Sequence, residues 1–525
     1  MPAAAQESDE GEVEEEPANR VPFSFPDLGG FRSVSAGDET EPSVFYSEVR
    51  PTGGSSRPSG FGIFSFRDAS GQLLTETSVP IQDTLTEGRM FATFSGRSNV
   101  GIAFANPNGQ EVTVGFHFTD TLRAEPEFGA GTLTIPAFGQ VARFVSESPF
   151  DFPEDTSATM TFSSSLPVSA IALLQTSNVV GETLYNTLPV IDLSAAPSET
   201  AVFMPHIAAG GFWSTDFIII NPTDETIQGI LILMDPGILQ EDTQFDDVPG
   251  NTCLSTLTDT FDAQPAHAYT LPPGGALVWS TRSNVCTPTP QDPRIILVGS
   301  ARAIPLVDNA APVVQVVLNS LGVVENEDGQ QVFEMLSRAA YSGGPSGTAY
   351  RMYVESSGEL GGPDSVTSGV VIHSSNFLAE DPYTSPRVRL DLRSLDGTFS
   401  ATTELRVPSS GQRALFIDEI FTGVDLPDPL RGTLTATVLT PGRTIAVTAL
   451  RARISEEDRY MITTTPPTEA HSPPTTAPGY LPHLVAGGGW ETETILFSGI
   501  TAQAGAGDLV FTGADGQPHE IPSDE

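Results

Sequence analysis

Apolar residues along this chain come in short runs that alternate with polar ones. FATF (91–94), TVGFHF (113–118), LTIP (133–136), DFIII (216–220), ALVW (276–279), VVQVVL (313–318) and VRLDL (388–392) are each bounded by Gly, Pro, Asn, Ser or Thr. Period-two alternation with punctuated ends predicts strands. No segment of a dozen residues carries a 3.6-residue apolar period, so helices are not expected. The expected fold is all-β, built of tandem β-sandwich-like units. At 525 residues the chain exceeds one compact core and predicts three to five such units.

Self-similarity divides the chain further. A B-type block runs through NVGIAFANPNGQEVTVGFHF (99–118), LTIPAFGQVARFVSE (133–147) and TLPVIDL (187–193). A second copy has SGVVIHSSN (368–376), LRVPSSGQRALFIDE (405–419) and TLTATVLTPGRTIAVTAL (433–450). Pro136, Gly139, Gln140, Phe144 and Glu147 align with Pro408, Gly411, Gln412, Phe416 and Glu419 at a constant offset of 272. An A-type block opens with MPHIAAGGFWST (204–215), and its opening recurs as LPHLVAGGGWET (481–492). Its closing part resembles GFGIFSFRDASGQLLTE (60–76).

The expected organisation is an acidic, disordered tail (1–20), a partial A unit (21–84), a B unit (85–197), an A unit (198–335), a B unit (336–475) and a partial A unit (476–525). The two partial units either complete one A unit together or are the ends of a piece cut from a longer array. The polar ending over 512–525 favours the second.

The ANPN, LPxxGQxAxF, TLPVxDL and PHxAxGGxWxT blocks resemble those of a family of secreted bacterial β-repeat proteins without assigned activity. The resemblance spans most of residues 60–511. It implies alternating tandem units and an extracellular or cell-surface location. This chain departs from it in having no signal peptide at its start, and HSSN where ANPN stands in the first B unit.

Charge and chemistry narrow the function. The net charge is −42, and all 24 basic residues are arginine. Such a surface repels phosphate backbones and anionic headgroups, so neither nucleic acid nor membrane is an expected partner. No apolar run reaches the length of a membrane-spanning helix. Cys253 and Cys286 lack the short spacings of a zinc site, and one disulfide between them is the favoured reading.

HExxH, GxSxG and P-loop patterns are all absent, which points away from an enzyme. His206, Trp213, His483 and Trp490 form the candidate ligand-binding set, the His as a metal ligand or a sugar contact beside a Trp, since an exposed Trp can stack on a sugar ring. The competing reading is structural: glycines for positive φ, Trp for packing, His bonded to backbone. No cofactor is expected. Calcium is the one ion considered, at the acidic stretches EDTQFDD (241–247) and ENEDGQ (325–330). The leading expectation is a non-catalytic extracellular spacer, scaffold or adhesive array. A carbohydrate-binding array comes second and a polysaccharide-active enzyme third, with glycans or cell-surface components as partners.

Overall fold

The computed structural model describes residues 19–36, 41–121, 128–178, 181–234, 266–281, 297–325, 331–375, 385–409, 411–455, 459–471, 473–499 and 502–520. The described chain is almost entirely antiparallel β-structure, as the alternation predicts. Cys253 and Cys286 lie outside the described residues, as do 241–247 and 326–330.

The first segment supplies β1 (Arg20–Phe25), β2 (Gly30–Ala36), β3 (Ser43–Pro51), β4 (Ser59–Arg67) and β5 (Leu73–Pro80). The first B unit follows with β6 (Leu85–Phe94), β7 (Ser98–Ala105), β8 (Val112–Asp120), β9 (Phe128–Ile135), β10 (Gln140–Phe144), β11 (Thr156–Ser177), β12 (Thr183–Leu188) and β13 (Ile191–Asp192). β11 shifts register between Ser163 and Val168. Its first half pairs with β6 and β8 and its second half with β7 and β12, so one strand joins two layers.

The A unit holds β14 (Val202–Ala209), β15 (Trp213–Ile220), β16 (Ile227–Met234), β17 (Ala266–Leu271), β18 (Ala276–Ser280), β19 (Leu297–Pro305), β20 (Val313–Glu325) and β21 (Gln331–Ser342). Its two sheets run β14-β19-β16-β17 and β18-β15-β20-β21. Because β21 pairs along β20, the unit extends to Ser342 rather than 335.

The second B unit has β22 (Ala349–Ser357), β23 (Val366–Ser374), β24 (Arg387–Ser394), β25 (Ser400–Arg406), β26 (Gln412–Phe416), the one-turn helix α1 (Ile417–Ile420), β27 (Leu430–Val438), β28 (Ile445–Ile454), β29 (Tyr460–Thr465) and β30 (Thr468–Glu469). The single bent strand of the first copy is here two strands, β27 and β28, parted at the Pro441-Gly442 turn.

The chain ends with β31 (Gly479–Ala486), β32 (Trp490–Phe497) and β33 (Gly505–Gly513), and these three pair with the first segment. One sheet runs β1-β33-β3-β31 and the other β2-β32-β4-β5. Residues 21–84 and 476–525 are therefore one A unit and not two partial ones, contrary to the reading favoured from the polar ending. That ending turns back at Gly513–Gln517 and returns His519 to hydrogen-bond Phe511, so polarity there marks a turn.

Strand for strand the split unit repeats the A unit, with β31-β32-β33 in the places of β14-β15-β16 and β1–β5 in those of β17–β21. The break falls where the A unit carries the connection from Met234 to Ala266. Deleting residues 476–525 removes the strands that alternate with β1–β4. Limited proteolysis of that variant is expected to cut within residues 20–80, which stay protected in the full chain.

The four units close into a ring, and the apolar runs explain how. Phe217 and Ile219 of β15 enter the A-unit core, while Ile218 and Ile220 point the other way into the core of the first B unit. A strand covered on both faces needs an unbroken apolar run, which is why DFIII does not alternate. Leu496 likewise faces the split-unit core, while Ile495 and Phe497 pack with Phe61, Ile63 and Tyr353 of the second B unit. Ala103 and Ile171 of the first B unit join the split-unit core, and Ala452 and Ile462 of the second B unit join the A-unit core.

At the ring axis β5, β12, β21 and β29 meet, one from each unit. Thr187 Oγ1 donates to Ser78 O at 2.5 Å, Ser78 and Thr464 hydroxyls lie 3.4 Å apart, Thr464 Oγ1 donates to Ala340 O at 2.8 Å, and Gln315 Nε2 donates to Thr187 O at 3.0 Å. That circuit passes through all four units. Beside it lies a cavity of about 520 Å³ lined from all four.

Candidate functional site at the joints between units

The PHxxxGGxW stretch is a tight turn that carries the chain from one sheet of the unit to the other, with β14 entering and β15 leaving. Gly210 and Gly211 have φ of +79° and +56°, and Gly487, Gly488 and Gly489 have +85°, +60° and +91°. A Cβ on Gly489 would stand 2.3 Å from Arg67 O, so backbone geometry accounts for the glycines.

The histidine before the turn faces a neighbouring unit. His483 Nδ1 lies 3.1 Å from Gln140 Nε2, which also donates to Pro482 O at 2.6 Å. The amide donates, so Nδ1 is the acceptor and the proton sits on Nε2. Gln140 is the glutamine of LPxxGQ in the first B unit. The two signature blocks of the sequence thus meet across a joint.

At the opposite joint Gln412 of the second B unit stands against His206 in the same way, though His206 Nδ1 and the Gln412 amide fall short of hydrogen-bond geometry. Each imidazole is part-buried, and burial depresses its pKa to about 4; for His206 the contact with Gln412 partly offsets this. Both rings are neutral at pH 7.

The tryptophans pack at these same joints. Trp490 meets Phe66 at 4.9 Å and Tyr185 of the first B unit at 5.7 Å. Trp213 meets Tyr460 of the second B unit edge-on at 6.1 Å. Both indoles are part-buried. The structure brings His206 and Trp213 to one joint and His483 and Trp490 to the other.

The two remaining joints carry arginines that the sequence pattern does not single out. Arg89 of the first B unit, 3% exposed, donates through Nε to Thr161 Oγ1 at 2.9 Å. Its Nη1 reaches the Asn221 and Thr223 carbonyls of the A unit at 3.0 and 3.2 Å, and Nη2 reaches Asp224 at 3.1 Å. In the second B unit Arg351 Nε donates to Thr435 Oγ1 at 2.9 Å. Its Nη1 donates to Ser498 O of the split unit at 2.9 Å and also meets Gly499 O. Replacing Arg89 with methionine strands two turn carbonyls and is expected to lower stability by about 2–4 kcal/mol. Thermal unfolding at pH 7 checks this, and an unchanged midpoint would remove Arg89 from the joint.

Asn-Pro turns and LPxxG turns prove to be two halves of one device. Asn106 Nδ2 donates to Gln110 O and Pro136 O, both at 2.8 Å, and its Oδ1 accepts from Asn108 N. Asn221 repeats the pattern with Glu225 O and Pro272 O, both at 2.7 Å, and with Thr223 N. Where the second B unit has HSSN and the split unit Ser498-Gly499, the Ser374 and Ser498 hydroxyls are buried without a hydrogen bond. Glu147 and Glu419 cap their turns, accepting from Phe144 N at 2.9 Å and Phe416 N at 2.8 Å.

No protein-family model matches the chain, and no curated protein does. Among solved structures it is similar to the infectious bursal disease virus VP2 subviral particle, at 10% identity and a TM-score of 0.11, covering 85% of this chain and 84% of that one. Native E. coli alpha-2-macroglobulin matches at 9% identity and a TM-score of 0.13, covering 97% of this chain and 47% of that one. At such scores neither bears on fold or function. Among the described residues no group of three or more His, Cys, Asp or Glu is placed to hold a metal ion. No described helix is long and apolar enough to cross a membrane.

Proposed function

We propose that the chain is a non-catalytic extracellular or cell-surface scaffold, a ring of four β-units that presents its loops on a stiff frame. One observation carries this reading: the recurrent signature residues are engaged between units. His483 bonds Gln140, His206 faces Gln412, and Trp490 and Trp213 pack on Tyr185 and Tyr460 of neighbouring units. Side chains that hold a frame together are held in turn by it, which suits display and spacing more than turnover. The extracellular setting follows from the family resemblance.

The test compares His206→Gln with His483→Gln, and Trp213→Phe with Trp490→Phe, by thermal unfolding and by a glycan and cell-surface binding screen with and without calcium. The expected result is a lower unfolding midpoint in each pair and a binding profile identical to that of the parent chain. Loss of a glycan signal at an unchanged midpoint would instead make the joints carbohydrate sites and overturn the scaffold role for these residues.

A further inference from the structure

The outward face of the second B unit breaks the charge pattern of the chain. On β24 the side chains Arg387, Arg389, Asp391 and Arg393 share this face, and on β25 they lie opposite Arg406, Glu404, Thr402 and Ser400. Four arginines therefore stand against two carboxylates, in a chain whose net charge is −42. Arg387 and Arg389 side chains are 52% and 45% exposed.

The first B unit forms the corresponding strand pair without such cations. The first B unit builds the same face from β8 and β9, and the cross-strand pairs of the two copies place Thr113, Gly115, His117 and Thr119 where Arg387, Arg389, Asp391 and Arg393 stand. Both copies form the same strands, one with a neutral surface. Arg387 also lies directly opposite Arg406, and like charges in that position weaken a strand pair. Arg393 Nε is buried without a hydrogen bond. A like-charge pair present in one copy and absent from the other points to a functional surface.

We propose that this face binds a linear acidic polysaccharide through its carboxylate or sulfate groups. Guanidinium forks pair with such anions in two-point fashion. Arg387 to Arg393 covers about 20 Å of extended strand, a line and not a pocket, which suits a chain of repeating anions. Hydroxyls of Thr402 and Ser400 flank the line and match a sugar better than an apolar partner. The exposed pairs Arg387–Glu404 and Arg389–Asp391 are weak enough to exchange for a ligand anion. The face borders the joint with the split unit, where Thr433 Oγ1 donates to Leu28 O, but it carries none of the signature histidines or tryptophans, so the inference stands or falls separately from the scaffold reading.

The test uses the full chain with polygalacturonate and heparin as acidic probes, dextran as a neutral one and single-stranded DNA as a non-sugar polyanion, at low and moderate salt. The parent chain is expected to bind an acidic polysaccharide at low salt and to lose it as salt rises. Replacing Arg387, Arg389 and Arg393 together with threonine, the first copy's residue at two of these places, should weaken binding about tenfold or more with unchanged thermal unfolding. Glu404→Gln should tighten it. Absence of binding to both acidic polysaccharides, equal binding by the triple variant, or equal binding of dextran or DNA would each overturn the proposal.

Discussion

Replacing Arg451 with methionine is expected to lower the stability of the chain by about 3–5 kcal/mol, the largest effect of any single substitution considered. Arg451 lies at the joint between the second B unit and the split A unit, 4% exposed. Its Nε donates to Glu355 at 2.7 Å and its Nη1 to Glu76 of the split unit. Tyr353 OH adds a bond to Glu355 at 2.5 Å, and Arg453 stands 3.5 Å from Glu76. Glu76 and Glu355 are themselves 8% and 6% exposed, so removal of the guanidinium leaves buried carboxylates facing each other without their shared partner.

Burial alone would raise the Glu355 pKa. Arg451, together with the Tyr353 hydroxyl and Arg431, more than reverses this and holds it below the usual carboxylate range. A depressed carboxylate contributes stability above its unfolded pKa and loses it as pH falls through the folded one, so the Arg451→Met defect should shrink in acid. Urea unfolding followed by tryptophan fluorescence at pH 7 and pH 4 reads both effects. Adding Glu76→Gln and Glu355→Gln should recover part of the loss. A parental midpoint for Arg451→Met would show that the network contributes nothing.

Acid is expected to loosen the ring through its histidines. His206 and His483 are held at about 4, and His373, fully enclosed with Phe203 of the A unit against it, at about 3. Burial is the main cause in all three; for His373 the nearby Arg302 adds to it. The unfolded chain takes up these protons near pH 6.5, and the folded chain does not. The histidine contribution is therefore constant above about pH 6.5 and is lost as pH drops toward about 4 for the joint pair and about 3 for His373. The loss is about 2 kcal/mol for each joint histidine, allowing for partial exposure, and about 4 kcal/mol for His373. Thermal unfolding between pH 7 and pH 4.5 should show the decline, and His483→Asn should make it shallower. An equal slope in that variant would mean the imidazole stays protonatable in the folded chain.

Much of the architecture is legible in the residues. Strand identity follows from period-two alternation, and the units follow from the constant offset between Pro136-to-Glu147 and Pro408-to-Glu419. The glycines of MPHIAAGGFWST and LPHLVAGGGWET sit at positive φ, where backbone chemistry puts them. Less legible were the partners. Gln140 and Gln412 stand out in the sequence only as positions that recur at one offset, and that recurrence is the signal for their shared role. Arg89 and Arg351 carried no motif, because a guanidinium bonded to carbonyls needs only a place to reach from.

Sequence alone determined that this chain is all-β, built from two alternating block types, and of strongly negative net charge. Those properties depend on neighbours a few residues away and on totals, which a linear string records. Tertiary structure alone decided that the two end segments form one unit, that four units close about β5, β12, β21 and β29, and that each His of PHxxxGG meets a B-unit glutamine. The pairing of β1 with β33 joins residues almost five hundred positions apart. Such a pairing is set by which exposed edges and apolar faces remain to be covered once the local units have formed, and no periodicity in the string encodes that choice.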